Sequence, residues 1–149
     1  MAEPRQIRLI MELRAEGVKD PDVLGAIERV AREKFVPDQF ADRAYENTAL
    51  PIGEGQTISQ PLIVGLMTQA LEVGKRMKVL EIGTGCGYQA AVLSQLCRRI
   101  YSIERHKTLL AETTRRLTQL NYTNITTMAG DGSKGWPALA PFDRIIVTA

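Results

Sequence analysis

Three acidic residues of this sequence each stand at or near the end of an apolar run: Glu81, Glu104 and Asp131. Apolar runs of this length are typical of buried parallel strands, whose carboxyl ends meet at one edge of a sheet. A carboxylate at that edge can accept hydrogen bonds from both hydroxyls of a ribose, and another can accept from an exocyclic amine. One such acid alone is more often a turn or helix-capping residue. Three in register favour a nucleoside site.

A glycine-rich turn follows the first of these acids. Residues 78–87 read K-V-L-E-I-G-T-G-C-G, with glycine at the alternate positions 83, 85 and 87. A strand, a glycine turn and a helix form the opening half of a nucleotide-binding βαβ unit. The third glycine comes one residue too early for the dinucleotide pattern G-x-G-x-x-G, and no lysine follows as in a phosphate-binding loop. The spacing therefore argues against a phosphate-centred ligand.

The acid inside this turn indicates the charge of the ligand. Glu81 would repel a phosphate, but it suits a ligand that carries cationic groups. S-adenosylmethionine is an adenine nucleoside with an ammonium and a sulfonium group. Its own carboxylate could then lie near the positive end of the helix that begins at about Tyr88. We therefore expect Glu81 and the glycines to face the methionine part, Glu104 the ribose and Asp131 the adenine.

The periodicity of apolar residues indicates which elements position these groups. It predicts helices over residues 4–16, 21 to about 33, 61–71, 88–96 and 107–120, and strands over 79–82, 99–104, 125–128 and 142–149. Residues 38–60 are predicted to form a structured loop with a tight turn at 53–55, because they are too apolar for disorder. The alternation of strands and helices predicts an α/β fold with a doubly wound, mostly parallel sheet and an N-terminal helical cap.

Composition excludes several classes of partner. The 149 residues carry a net charge of only +2, without a basic cluster, which argues against nucleic acid. Cys86 and Cys97 are the two cysteines, and their spacing suits neither a metal centre nor a disulfide framework. No apolar run is long enough for a membrane helix, and residues 1–6 do not begin a signal peptide. We expect a cytoplasmic protein without a metal or a membrane partner.

Several segments together resemble one enzyme family, the protein-L-isoaspartate O-methyltransferases of the class I methyltransferase superfamily. The segments are G-E-G-Q-T-I-S-Q-P at 53–61, V-L-E-I-G-T-G at 79–85, G-Y-Q-A-A at 87–91, Y-S-I-E-R at 101–105, G-D-G at 130–132, G-W at 135–136 and P-F-D-R-I-I-V-T-A at 141–149. The resemblance runs through the whole chain in order. It is specific, because the segment 53–61 is not a general feature of methyltransferases.

The resemblance implies a Rossmann-like sheet and a repair reaction. A methyl group would pass from S-adenosylmethionine, leaving S-adenosylhomocysteine, to the free carboxylate of L-isoaspartyl residues in damaged proteins or peptides. The ester then cyclises to a succinimide, which can reopen as normal aspartate. We also expect the protein to be a monomer. The resemblance also implies that residues 1–60 supply the N-terminal helices and substrate-side loop of a single domain, and 61–149 the cofactor-binding core.

Carried over by position, the resemblance implies individual site residues. The cofactor-binding residues would be Glu81, Gly83, Gly85, Glu104, Asp131 and Gly132. Thr57, Ile58 and Ser59 would bind the substrate, and Ser59 would be the catalytic residue. The alternative for Ser59 is an ordinary helix cap before Pro61. Cys86 replaces a small hydroxyl residue of the family, and Leu62 replaces a larger aromatic residue or histidine.

Other functions remain open at this point. The family continues beyond the predicted strand 142–149, so we expect a chain truncated at its C-terminus, with strands of the sheet missing. Two alternatives to the repair enzyme are an inactive fragment that binds cofactor and a methyltransferase that acts on another acceptor. A nicotinamide-dependent oxidoreductase is disfavoured by the early third glycine and by Glu81. A nucleic-acid methyltransferase is disfavoured because Thr148-Ala149 does not begin the motif usual after the fourth strand.

Overall fold

A computed structural model describes residues 3–148 and begins with two helices, α1 (Pro4–Ala15) and α2 (Pro21–Arg29). Each has proline at its first position and an acidic side chain that accepts from an N-terminal backbone N–H. The prediction that the second helix reaches about residue 33 is wrong. Val30 is extended, with φ −95° and ψ 121°, and a short 3-10 helix follows at Arg32–Phe35.

The predicted loop over residues 38–60 is ordered, and it contains a β-hairpin that the sequence analysis did not predict. A 3-10 helix at Asp38–Arg43 precedes β1 (Leu50–Gly53) and β2 (Gln56–Ile58), which pair antiparallel. Gly53 and Gly55 have φ values of +104° and +66°, so the tight turn between them is confirmed. Strands of four and three residues are too short to show an alternating pattern.

The rest of the described chain alternates between helices and the strands of one parallel sheet. After α3 (Pro61–Leu71) come β3 (Lys78–Ile82), α4 (Tyr88–Ser94), β4 (Arg99–Glu104), α5 (Lys107–Gln119), β5 (Ile125–Ala129) and β6 (Arg144–Val147). The sheet order is β5-β4-β3-β6, and each neighbouring pair is parallel. Because the chain moves from β3 outward to β5 and returns to the other side of β3, the predicted doubly wound sheet is confirmed.

The structure corrects some predicted boundaries. The helix predicted over 88–96 ends at Ser94, and the strand predicted over 142–149 is the shorter β6, with residue 149 outside the described part. The crossover from β5 to β6 contains only two 3-10 helices, Gly132–Lys134 and Pro137–Leu139. No helix within residues 3–148 has the length and apolarity needed to cross a bilayer.

One hydrophobic cluster joins the helical cap to the cofactor-side helix. It contains Leu13 and Ile27 of the cap, Leu50 of β1 and Val92 of α4, all at most 2% exposed. The cavity described below is lined both by the hairpin and by residues at the carboxyl ends of β3 and β4. The division of the chain at residue 60 stays a prediction. On the outer strand β6, Ile145 and Val147 are exposed.

Candidate active site

The glycine turn after β3 adopts a backbone that other residues rarely take. Gly83, Gly85 and Gly87 have φ values of +100°, +55° and +92°. A Cβ on Gly87 would lie 2.9 Å from Cγ2 of Thr113, and one on Gly85 would lie 3.5 Å from Cδ1 of Ile52. The turn therefore needs glycine both for its conformation and, at Gly87, for the close approach of α5.

Glu104 is held against this turn from β4. Its Oε1 accepts from the backbone N–H of Gly85 at 2.9 Å, and its Oε2 accepts from that of His106 at 3.0 Å. The side chain is buried, with the residue 5% exposed, but it lines a cavity. A carboxylate has about four acceptor sites, so two remain for further donors. This arrangement fits the predicted acceptor for two ribose hydroxyls.

Asp131 and Gly132 lie at the same cavity, after β5. Oδ1 of Asp131 accepts from the backbone N–H and the hydroxyl of Ser133, at 2.9 and 2.7 Å, and these bonds lower the pKa of the Asp131 carboxyl. The residue therefore caps a short turn and lines the cavity as well. A Cβ on Gly132 would lie 2.3 Å from Cγ2 of Ile82. Only glycine lets this turn approach the end of β3.

Glu81 lies beneath the glycine turn and does not line the cavity, unlike the other cofactor-binding residues expected from the sequence. It is fully buried, and burial raises the pKa of its carboxyl to about 8, so the group is largely protonated at neutral pH. Ser102 donates to its Oε1 at 2.6 Å. Because the single proton of Ser102 is used there, the Thr84 hydroxyl donates to Ser102 at 2.6 Å. Glu81 is thus linked to Thr84 of the glycine turn by two hydrogen bonds, through the hydroxyls of Ser102 and Thr84.

Ser59 lines the opposite wall of the cavity with its hydroxyl uncommitted, and the alternative that it caps α3 is wrong. The N-cap of α3 is Gln60, and its side chain makes no capping bond. Instead Asn47 Oδ1 accepts from the N–H of Leu62 at 3.0 Å. No side-chain hydrogen bond of Ser59 occurs within residues 3–148, whereas its carbonyl accepts from Arg32 Nη2 at 3.0 Å. The hydroxyl is therefore free to bind a ligand.

These groups surround one cavity of about 400 Å³, a size typical of small-molecule sites. Thr57 and Ile58 of the hairpin line it together with Ser59, on the side that faces the glycine turn. Of the two departures from the family pattern, Cys86 lines the cavity and Leu62 does not. Burial raises the pKa of the Cys86 thiol, which keeps it protonated.

Several lining residues were missed by the sequence analysis, among them His106, Ser133 and Thr148. His106 follows Glu104 at the strand end, precedes α5 and lies half-buried beside the cavity. Thr148 follows β6 and donates to the carbonyl of Gly83 at 2.7 Å. His106 and Thr148 each follow the carboxyl end of a strand, and this placement in the sequence could have identified both. Within residues 3–148, no group of three potential metal ligands comes together.

Comparison with known proteins decides the family. The profile of the family described as protein-L-isoaspartate(D-aspartate) O-methyltransferase matches residues 4–149. The chain belongs to the protein-L-isoaspartate O-methyltransferase family. The protein of that name from Paramagnetospirillum magneticum is 70% identical over 148 residues, covering 99% of this chain and 69% of its own length. The one from Maricaulis maris is 60% identical over 149 residues, covering 100% of this chain and 70% of its own.

Solved structures agree with this membership. A protein-L-isoaspartate O-methyltransferase with 31% identity superposes with a TM-score of 0.84 over 96% of this chain and 47% of its own. A Plasmodium falciparum protein described as a putative member, solved with S-adenosyl-L-homocysteine, has a TM-score of 0.82 at 22% identity, covering 97% of this chain and 73% of its own, and so supports the fold. The predicted family, its methyltransferase fold and its methyl donor are confirmed. The chain spans about two thirds of the length of curated relatives.

The residues present fit S-adenosylmethionine, the cofactor of the protein-L-isoaspartate O-methyltransferases. The backbone at Gly132 approaches β3 too closely for any side chain, and Glu104, which lines the cavity, keeps two acceptor sites uncommitted. Glu104, Asp131 and Gly132 would hold the nucleoside part, and Gly85 of the glycine turn would face the methionine part. The expectation of a direct contact from Glu81 is not supported by its position, since Glu81 lies outside the cavity lining.

Proposed function

We propose that this chain methylates the free carboxylate of L-isoaspartyl residues in damaged proteins and peptides, with the donor and the acceptor meeting in the cavity. The observation that carries the proposal is the position of Ser59. Ser59, whose hydroxyl is uncommitted, lines the same cavity as Glu104 and the glycine turn, although the hairpin and the sheet are separate elements. One wall therefore suits a nucleoside and the other suits an acceptor.

The acceptor needs no general base. A carboxyl group with a pKa near 4 is already ionised at neutral pH. When bound, S-adenosylmethionine supplies a methyl group activated by its sulfonium. A carboxylate oxygen forms a bond to that carbon while the bond from the carbon to sulfur breaks, and the electron pair stays on sulfur without release of a proton. This chain therefore has to bring two groups together, which can contribute up to about 7–11 kcal/mol.

We assign Ser59 the role of orienting the acceptor. Its hydroxyl would donate a hydrogen bond to one carboxylate oxygen and leave the other oxygen to react. Thr57 and Ile58 contribute to orienting the acceptor in different ways. Thr57 is exposed at the cavity, whereas Ile58 is buried, pairs with Leu50 across the hairpin and fixes the register of the segment. The acceptor segment, residues 57–59, is thus anchored at its middle residue and polar at both ends.

The proposal is tested by separating cofactor binding from turnover at Ser59. We expect Ser59→Ala to lower kcat for an isoaspartyl peptide by about 10- to 100-fold, because the reacting oxygen is then less well oriented and a misplaced reactant can cost about 100-fold in rate. The affinity for S-adenosylhomocysteine, measured by calorimetry, should stay within twofold. Ser59→Thr keeps a hydroxyl and should retain more activity than Ser59→Ala. An unchanged kcat in Ser59→Ala would exclude the assigned role.

The predictions about oligomeric state, location and other partners rest on the sequence alone. The monomeric state, the cytoplasmic location and the absence of nucleic-acid or membrane partners stay predictions. If the chain transferred methyl groups to another acceptor but not to isoaspartate, the alternative of a different methyltransferase would replace this proposal. If it bound S-adenosylhomocysteine without transferring methyl groups, the alternative of a cofactor-binding fragment would apply.

A further inference from the structure

Arg32 is a fully buried arginine directly behind the acceptor segment. Its Nη2 donates to the carbonyl of Ser59 at 3.0 Å and to that of Thr48 at 3.3 Å. Its guanidinium carbon lies 4.8 Å from the ring centroid of Tyr88, the first residue of α4. The side chain thus joins the acceptor segment, the loop before the hairpin and the helix that follows the glycine turn.

The charge of Arg32 has no anionic partner in the described part of the chain. The ion pairs there join Arg5 to Glu3 and Arg43 to Glu46, and neither includes Arg32. Two of its nitrogens, Nε and Nη1, are buried and make no hydrogen bond. Burial lowers the pKa of Arg32, but a guanidinium in a protein still keeps its proton. An unpaired buried cation is costly, and it attracts an anion that reaches its neighbourhood.

The cavity is the place from which an anion can approach this charge. Arg32 itself is buried and does not line the cavity, but Ser59 and Tyr88, which both contact it, do line it. Screening by salt is weak for charges in such a partly enclosed site. We propose that Arg32 is a positioning residue that selects an acceptor carrying a carboxylate and holds the Ser59 backbone toward it. This inference rests on the proposed function and names a determinant of its acceptor specificity.

Arg32 is expected to act on binding rather than on the chemical step. The acceptor carries its full negative charge before the reaction, and the ester that forms is neutral. Attraction to a nearby cation is therefore strongest for the bound substrate and weakest for the product. An interaction of this kind lowers KM and does not raise kcat, and it favours departure of the ester.

The test compares two peptides that differ only in charge. One contains an isoaspartyl residue, and the other contains the same β-linkage with an amide in place of the free carboxylate. Binding of each is measured with S-adenosylhomocysteine present, so that no transfer occurs. We expect the wild-type chain to prefer the charged peptide by about tenfold, as for one charge pair at moderate screening. Arg32→Met should bind both peptides alike, and kcat should fall less than KM rises.

Two further variants keep the test decisive if Arg32→Met folds poorly. Arg32→Lys retains the charge but loses the planar donor group, so it should bind both peptides more weakly and still prefer the charged one. Arg29→Met removes an exposed arginine from α2 and should leave the preference unchanged.

Different results identify different failures. Equal weakening for both peptides in Arg32→Met, or a folded Arg32→Lys without any preference, would overturn the inference. So would a loss of S-adenosylhomocysteine affinity as large as the loss of peptide affinity. If the wild-type chain bound neither peptide, the proposed function itself would fall and Arg32 would have no acceptor to select.

Discussion

The backbone N–H of Gly85 donates a hydrogen bond of 2.9 Å to Oε1 of Glu104. The acid predicted to bind ribose and the glycine turn predicted to face the methionine part therefore form one unit before any ligand binds. The second oxygen of Glu104 holds the start of α5 through the N–H of His106. Because preorganised groups lose little entropy on binding, this unit is expected to dominate cofactor affinity.

Glu104→Gln tests this unit. The variant can keep the bond from Gly85 through its amide oxygen, but it loses the acceptor for the N–H of His106 and the charge that strengthens hydrogen bonds from ribose hydroxyls. We expect the affinity for S-adenosylhomocysteine to fall by about tenfold, which is about 1.4 kcal/mol. Calorimetry on the purified protein measures it. Glu112→Gln makes the same change on the exposed face of α5 and serves as the control. Equal affinity in wild type and Glu104→Gln would contradict the ribose assignment.

A series of alanine substitutions tests why the turn needs glycine. Gly87 combines a φ of +92° with an overlap at Thr113, Gly53 has a φ of +104° with open space around it, and Gly74 has neither constraint. We expect Gly87→Ala to lower the free energy of unfolding by about 2–3 kcal/mol, Gly53→Ala by about 1 and Gly74→Ala by less than about 0.5. Urea unfolding measures all three. If Gly87→Ala and Gly53→Ala cost the same, the overlap with α5 has no energetic consequence.

The buried carboxyl of Glu81 predicts a pH dependence of stability. Its pKa is about 8 in the folded chain and about 4.3 when unfolded. Between these values the native state holds more protons than the unfolded state, so the free energy of unfolding falls as pH rises through the window. Glu81→Gln removes this titration and should be less sensitive to pH than wild type, by an amount on the order of a few kcal/mol between pH 5 and 9.

Urea unfolding of wild type and Glu81→Gln at several pH values provides the comparison. Other groups titrate in both proteins, so the difference between the two curves is the quantity of interest. It should grow in favour of the variant up to about pH 8 and then level off. Parallel curves over the whole range would show that Glu81 ionises normally in the folded chain. Glu112→Gln should follow the wild-type curve, since that side chain is exposed.

The cap of α3 gives a fourth prediction. Asn47 Oδ1 accepts from Leu62 N–H, and the Asn47 carbonyl accepts from the Gln60 side chain at 3.2 Å. We expect Asn47→Ala to destabilise the fold by about 1 kcal/mol, as for other lost helix caps, whereas Asn47→Asp keeps the acceptor and should cost less. Thermal unfolding distinguishes the two variants. Equal melting temperatures for Asn47→Ala and wild type would contradict the cap.

Local patterns in the sequence predicted the elements that line the candidate cofactor site. Apolar runs indicated β3 and β4, and a proline indicated the start of α3. The structure has these three elements at or near the predicted positions. The glycine turn was predicted for the same reason, since three alternate glycines after a strand need an unusual backbone.

Contacts between distant segments were not predictable in this way. Arg32 meets Ser59 across 27 residues, and Asn47 reaches Leu62 across 15. Nothing in the sequence around Ser59 reveals that another residue caps α3, so the capping alternative could not be dismissed. The position of Glu81 was misjudged because a strand end was equated with the cavity. Glu81 is fully buried beside its hydrogen-bond partner Ser102, which is also buried, so it faces the interior.

The most direct test of the shared cavity is methyl transfer by this chain to two matched peptides. One contains an isoaspartyl residue and the other contains aspartate at the same position, and radiolabelled S-adenosylmethionine supplies the methyl group. We expect base-labile label on the isoaspartyl peptide and none above background on the aspartyl peptide. Equal labelling of both peptides, or no labelling by a chain that still binds S-adenosylhomocysteine, would contradict it.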